Sequence, residues 1–192
     1  MLRNVRISIM QRFIRTFECA TTTEMEALIN KTNTITDLVM QAIISKHVVW
    51  RFNGDGRILT STPKGKLEWD RVKAGWAYLF LTPDEISGEN ELFLYRADAP
   101  SIAIYEKNGK IYEIVNIQTK ENLELLRASY KSRLNYEGGV PVNFVCIISD
   151  EDMCGHIQQF SKEFGVKCLG IMFNFPNNDL FEKPEAVYYE FQ

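Results

Sequence analysis

Arg96-Ala-Asp-Ala-Pro-Ser-Ile-Ala-Ile-Tyr-Glu-Lys-Asn-Gly-Lys-Ile-Tyr-Glu-Ile-Val-Asn116 holds two strand-like runs, Ser101 to Tyr105 and Ile111 to Val115. Between them lies Glu106 to Lys110, whose Asn-Gly pair is the dipeptide a tight hairpin turn needs, because both central positions take positive φ. Asp98 heads the first run and Glu113 sits inside the second. Two carboxylates on neighbouring strands are the start of a divalent-metal site, since hard oxygen ligands hold magnesium or manganese and the metal activates water for phosphodiester cleavage. Two positions beyond Glu113, on the same strand face, stands Val115. An apolar side chain there can neither position water nor offset charge in a transition state.

Strand parity sharpens the question. Ile111, Glu113 and Val115 share one face of the run, and Tyr112, Ile114 and Asn116 share the other. Glu113 therefore has apolar neighbours on its own face. A carboxylate in that setting is either a desolvated functional group or an edge residue reaching solvent.

Outward from the hairpin, the pattern gives a helix over Leu67 to Phe80, a strand over Glu91 to Arg96, and a helix over Glu121 to Leu134 with Leu123, Leu126 and Tyr130 on one face. Val142 to Ile148 is a near-continuous apolar run, as expected of a strand covered on both faces. Asp150 caps a helix that ends at Phe164 and Gly165, and Val166 to Phe173 is a second buried strand. The order is helix, three-strand meander, helix, strand, helix, strand. From Leu67 to Phe173 it resembles the core of the PD-(D/E)XK, or restriction-endonuclease-like, superfamily. That resemblance implies a mixed-sheet α/β domain with Asp98 and Glu113 at the catalytic and metal-binding carboxylate positions. It also implies a magnesium or manganese cofactor if the site is active, and none if it is degenerate. Val115 replaces the family's lysine, and Pro100 follows Asp98 instead of preceding it. A missing charge of this kind is recruited from elsewhere in some members; here Lys120, or Arg127 and Lys131 on the following helix, are the cations placed for it.

Residues 1 to 66 read differently. They hold ten Lys and Arg against five Asp and Glu, whereas the remainder holds 12 against 20, although the whole chain carries only −3. A basic module joined to an acidic one confines any nucleic-acid footprint to the first. Ile7, Met10, Ile14 and Phe17 mark a first helix, and Thr21-Thr-Thr-Glu24 opens a second. A third is expected near Ile35 to Lys46, leaving Thr36, Asp37, Met40, Gln41, Ser45 and Lys46 outward. The period then falls to two, with Val48 to Phe52, the turn Asn53-Gly-Asp-Gly56, and Arg57 to Thr60. Three helices followed by a β-hairpin resembles a winged helix. The resemblance implies duplex DNA as partner, the third helix in the major groove with Thr36, Met40, Gln41 and Lys46, and Arg51, Arg57, Lys64 and Lys66 at phosphates.

The fold class expected is thus α+β joined to α/β: a winged helix over 1 to 66 and a nuclease-like domain over 67 to 192, packed together for want of a flexible spacer. In domain order the chain is similar to replication-relaxation proteins of bacterial mobile elements. The four cysteines lack metal spacing and read as buried free thiols. No apolar run is long enough to span a bilayer and the basic start lacks a signal-peptide core, so the expectation is a cytoplasmic protein without membrane contact. Ala186 to Gln192 is strand-like, and it is either a last strand of the sheet with its aromatics packed in the core, the commoner outcome, or an exposed edge that would pair with a second copy to form a homodimer. Three functions compete: a DNA-binding accessory or regulatory protein with a catalytically degenerate nuclease-like domain, a metal-dependent DNA nuclease with a relocated lysine, and a protein-interaction scaffold without DNA affinity. The first accounts for both the basic excess and the missing lysine.

Overall fold

The computed structural model describes residues 2–28, 49–53, 56–61, 66–82, 93–135 and 142–192, with backbone alone over 2–9, 49–53 and 56–57. The expected third helix, with Thr36, Met40, Gln41 and Lys46, and the wing residue Lys64 lie outside the described residues. Among the described residues there are two sheets, a small one near the N-terminus and a larger mixed one with helices on both faces.

The N-terminal unit begins with α1 (Leu2–Phe17), β1 (Cys19–Thr21) and α2 (Thr22–Leu28). It continues with β2 (Val49–Asn53) and β3 (Gly56–Thr60), and the antiparallel sheet runs β1-β3-β2. Three residues are too few for β1 to be legible as a period-two pattern. Its presence follows from pairing, with Cys19, Ala20 and Thr21 opposite Thr60, Leu59 and Ile58. α2 starts on a capping box of the kind the Thr21 to Glu24 spacing predicts: the Thr21 N–H donates to Glu24 Oε2 at 2.8 Å, and the Glu24 N–H donates to Thr21 Oγ1 at 3.2 Å. Each residue satisfies a backbone donor that the first turn leaves open.

Helix α3 (Trp69–Leu81) explains how the two sheets join. Seven of the eight positions from Val72 to Leu79 are buried, and a helix that is apolar nearly all round must be covered on every side. One side meets α1, α2 and β1, and the other meets β5, β6 and β7 of the large sheet. Phe13, Phe17, Met25 and Leu59 therefore share one apolar cluster with Trp76, Tyr105 and Ile114. Gly75 is a point of close approach: a Cβ there would run into Glu24 Oε1 and lie 2.9 Å from Phe13 Cζ. Ala is the better helix former by about 1 kcal/mol, but overpacking costs about 1–3 kcal/mol. Gly75→Ala is accordingly expected to lower stability by up to about 2 kcal/mol by urea denaturation, and by less in a Glu24→Ala background.

The large sheet runs β4-β5-β6-β7-β8-β9. Its strands are Leu94–Arg96, Ser101–Lys107, Lys110–Asn116, Val142–Ile148, Cys168–Asn174 and Glu185–Phe191. The first three form the antiparallel meander expected, turning through Asn108 and Gly109 at positive φ. Helices α4 (Lys120–Leu134) and α5 (Asp152–Phe164) then make two crossovers, so that β6, β7 and β8 are parallel, and β9 closes the sheet antiparallel to β8. Both crossover helices cover the face opposite α3, where Leu126, Tyr130, Phe144 and Phe160 form a second core. α4 carries a Thr119–Asn122 capping box, and α5 stops at Gly165 with φ 64°.

Cys19, Cys146 and Cys168 are buried free thiols, and Cys154 is half-buried. Burial pushes the Cys19 thiol up to about 12, and contact with Cys168 together with burial pushes Cys146 up. Such thiols are packing groups, not nucleophiles. No described helix is long and apolar enough to cross a membrane.

Candidate functional site

Glu113 occupies the middle of β6, opposite Ile104 on β5 and Phe144 on β7. The parity reading places it with Ile111 and Val115, and that is the face covered by α4 and α5, since Val115 and Ile111 belong to the second core while Ile114 and Tyr112 belong to the first. Its side chain is 2 % exposed. A carboxylate so deeply desolvated needs partners for each oxygen, or the cost is several kcal/mol.

Two residues supply them. The Arg133 guanidinium donates Nη1–H to Glu113 Oε1 and Nη2–H to Oε2, the latter at 3.1 Å, so the pair is bidentate. Ser101 Oγ donates to Oε2 at 2.7 Å. The planar fork of arginine matches a carboxylate in a way that a lysine ammonium cannot. Arg133 itself is 41 % exposed and lies over the Tyr130 ring, 5.3 Å from its centroid. The charge pair thus has one buried end and one wet end.

The backbone at Ser101 brings the hydroxyl to this place. Ser101 pairs with Val115 but Ala103 pairs with Ile114, a register shift that inserts one extra residue into β5. A bulge of this kind re-aims a side chain, and here it turns Ser101 onto the Glu113 face. The Ser101 N–H donates to the Asp98 carbonyl at 3.0 Å, closing the turn over Asp98 to Ser101, within which the Ala99–Pro100 bond is cis. Asp98 is joined to Glu113 through Ser101 in this way, while its own carboxylate faces solvent.

The relocated cations fall elsewhere. Lys120 is the exposed first residue of α4, thirteen positions and about 20 Å of helix axis from Arg133. Among the described residues no ion pair joins it to Glu113. Arg127 and Lys131 bind Glu163 of α5, at 2.9 and 3.0 Å, and the hydrogen bond from Lys131, with the charge of both cations, holds the Glu163 carboxyl below its usual range. They tie two helices together on the sheet's outer side. The cation at Glu113 is Arg133, which sequence reasoning missed although a signal was present: Leu123, Leu126, Tyr130 and Arg133 are spaced three, four and three along α4, so an arginine continues the buried stripe. A charge in that position calls for a buried partner.

The donor set does not suit a divalent cation. Both Glu113 oxygens are committed to Arg133 and Ser101, and among the described residues no three His, Cys, Asp or Glu side chains gather closely enough to hold a metal ion. A cation would have to displace a bidentate guanidinium from a desolvated carboxylate.

Of the residues expected at DNA, Arg51 stands opposite Ile58 and Arg57 opposite Phe52 in the β2–β3 hairpin, and Lys66 is exposed between β3 and α3. The two units also meet through Glu18. This residue leaves α1 at φ 66° and binds Arg71 of α3 at 3.1 Å and Arg96 of β4. No protein-family model matches the chain, and no curated protein is significantly similar to it in sequence.

Proposed function

We propose that this chain is a DNA-binding accessory or regulatory protein in which a winged helix makes the DNA contact and a nuclease-like core serves as a non-cleaving body. The observation that carries the reading is the β1-β3-β2 sheet with α1 and α2 preceding β2. That order and pairing resemble those of a winged helix, with residues 29 to 48 in the sequence position of a recognition helix and the Asn53-Gly-Asp-Gly56 segment in that of a wing tip. The surplus of basic residues before Lys66 supports the assignment of phosphate contact to this unit. The αβββαβ order from α3 to β8 supports the restriction-endonuclease-like reading of the remainder, and the Arg133–Ser101 closure over Glu113 favours a degenerate site. A role in maintaining or regulating mobile DNA fits the resemblance in domain order.

Fluorescence anisotropy of a labelled random duplex tests the reading. With four phosphate contacts from Arg51, Arg57, Lys64 and Lys66, affinity is expected to fall about a hundredfold between roughly 50 and 200 mM salt, and each Ala substitution to flatten the salt slope by about 1. Absence of binding at low salt would leave the interaction scaffold as the better account. Manganese-dependent nicking of supercoiled DNA that disappears in Asp98→Ala and Glu113→Ala would establish the nuclease instead.

A further inference from the structure

The two ends of the large sheet are built differently. β4 is three residues long, and short edge strands resist pairing with another chain. β9 at the other end is seven residues long and pairs with β8 over its whole length without a register shift. Among the described residues no strand covers its outer edge. Glu185 to Phe191 contains no Pro, no Gly and no Lys, the residues that ordinarily discourage edge pairing. Val187 and Tyr188 are 46 % and 45 % exposed, and as neighbours on a strand they lie on opposite faces of the sheet. Among the described residues the outer edge of the strand is therefore unpaired, and each face of the strand carries one exposed apolar or aromatic side chain beside it.

We propose that β9 pairs antiparallel with β9 of a second copy, about a two-fold axis at Tyr188. Antiparallel pairing about an axis perpendicular to the sheet sets one residue opposite itself, and only Tyr188, the midpoint of Glu185–Phe191, gives overlap of all seven residues. In that register Val187 faces Tyr189, Ala186 faces Glu190, and Glu185 faces Phe191. No two acidic residues are opposed. Glu185 and the other copy's Glu190 stand one position apart, so they point to opposite faces. Registers centred on Val187 or Tyr189 overhang the strand and set Glu185 against Tyr189 or Tyr188 against Glu190. The partner's chemistry is thus read from the strand itself: an apolar and aromatic centre with acidic ends, complementary to its own reverse. A two-fold pairing also closes the edge, so assembly stops at two.

The pairing does not depend on the DNA reading, but it has a consequence for it. α1 packs beside β4, at the sheet end away from β9. Two copies joined at β9 would carry their N-terminal units at opposite ends of one continuous sheet, roughly 50 Å apart by strand spacing.

Sedimentation equilibrium of the full chain from low to high micromolar concentration is expected to show mass rising from 22.2 kDa toward twice that value. Tyr188→Lys places two ammonium groups on the axis and is expected to hold the mass at the lower value, with thermal unfolding unchanged. Tyr188→Cys, oxidised with diamide, is expected to give a covalent dimer on a non-reducing gel, whereas Trp69→Cys, exposed on α3, gives none. A wild-type chain that stays monomeric throughout overturns the proposal. So does a folded Tyr188→Lys chain that dimerises like wild type. If the lysine variant does not fold, the cysteine variant decides, and its failure to cross-link overturns the proposal equally.

Discussion

Arg133→Ala is expected to lower the unfolding free energy by about 3 kcal/mol at neutral pH, because it leaves the Glu113 carboxylate buried with only the Ser101 hydroxyl for a partner. The two ends of this pair are not equivalent. Arg133 is partly exposed, so Glu113→Gln leaves a guanidinium that turns into water, and the loss there is expected to be smaller, about 1–2 kcal/mol. Arg133→Lys keeps the charge but not the bidentate fork and should fall between the two. Urea midpoints measured with an unchanged denaturant slope would establish the order. Equal losses for Arg133→Ala and Glu113→Gln would show that the burial asymmetry does not govern the pair. If the N-terminal unit carries DNA binding, as proposed, none of the three substitutions alters DNA affinity below its melting temperature.

Raising the pH from about 5 to 8 is expected to destabilise the wild-type protein relative to Glu24→Gln by an amount on the order of 3–4 kcal/mol. Glu24 is fully buried between α2 and α3, and burial pushes its carboxyl up to about 8 against an ordinary 4.5, despite the hydrogen bonds from Thr21. Among the described residues its Oε1 has no hydrogen-bond partner, and it faces the backbone at Gly75. The folded chain therefore keeps a proton that the unfolded chain releases above 4.5. Stability from this group is complete below 4.5, declines with rising pH, and is gone above about 8. Glutamine keeps the shape and accepts the Thr21 N–H but does not ionise, so the difference between the two pH–stability curves isolates the carboxyl. Parallel curves would mean that water reaches Glu24. Against a typical total stability of about 5–15 kcal/mol, the effect is large enough to move the melting temperature visibly.

Local chemistry was legible wherever a pattern spanned enough residues. The Asn108-Gly109 turn, the Thr21–Glu24 capping box, the Gly165 stop and the apolar runs of β7 and β8 each follow from residues adjacent in sequence, and the strand parity that puts Glu113 on the face of Val115 follows from period two alone. β1 was not legible, because a three-residue strand exists only through its partner β3. The pattern over Leu67 to Phe80 marks α3 as a helix, but not that it is buried on nearly all sides as the layer between the two sheets.

The candidate site divides along the same line. The sequence by itself determined that Glu113 lies on a strand face with apolar neighbours, that no lysine follows at position 115, and that basic residues concentrate before Lys66. Which cation meets Glu113 was settled only by tertiary structure. A bulge of one residue turned Ser101 onto its face, and the length and docking angle of α4 brought Arg133 to it while carrying Lys120 to the far end of the helix. Periodicity assigns a residue to a face from its neighbours. Contact across twenty residues of chain depends on where two elements pack, and packing is decided by the whole core at once.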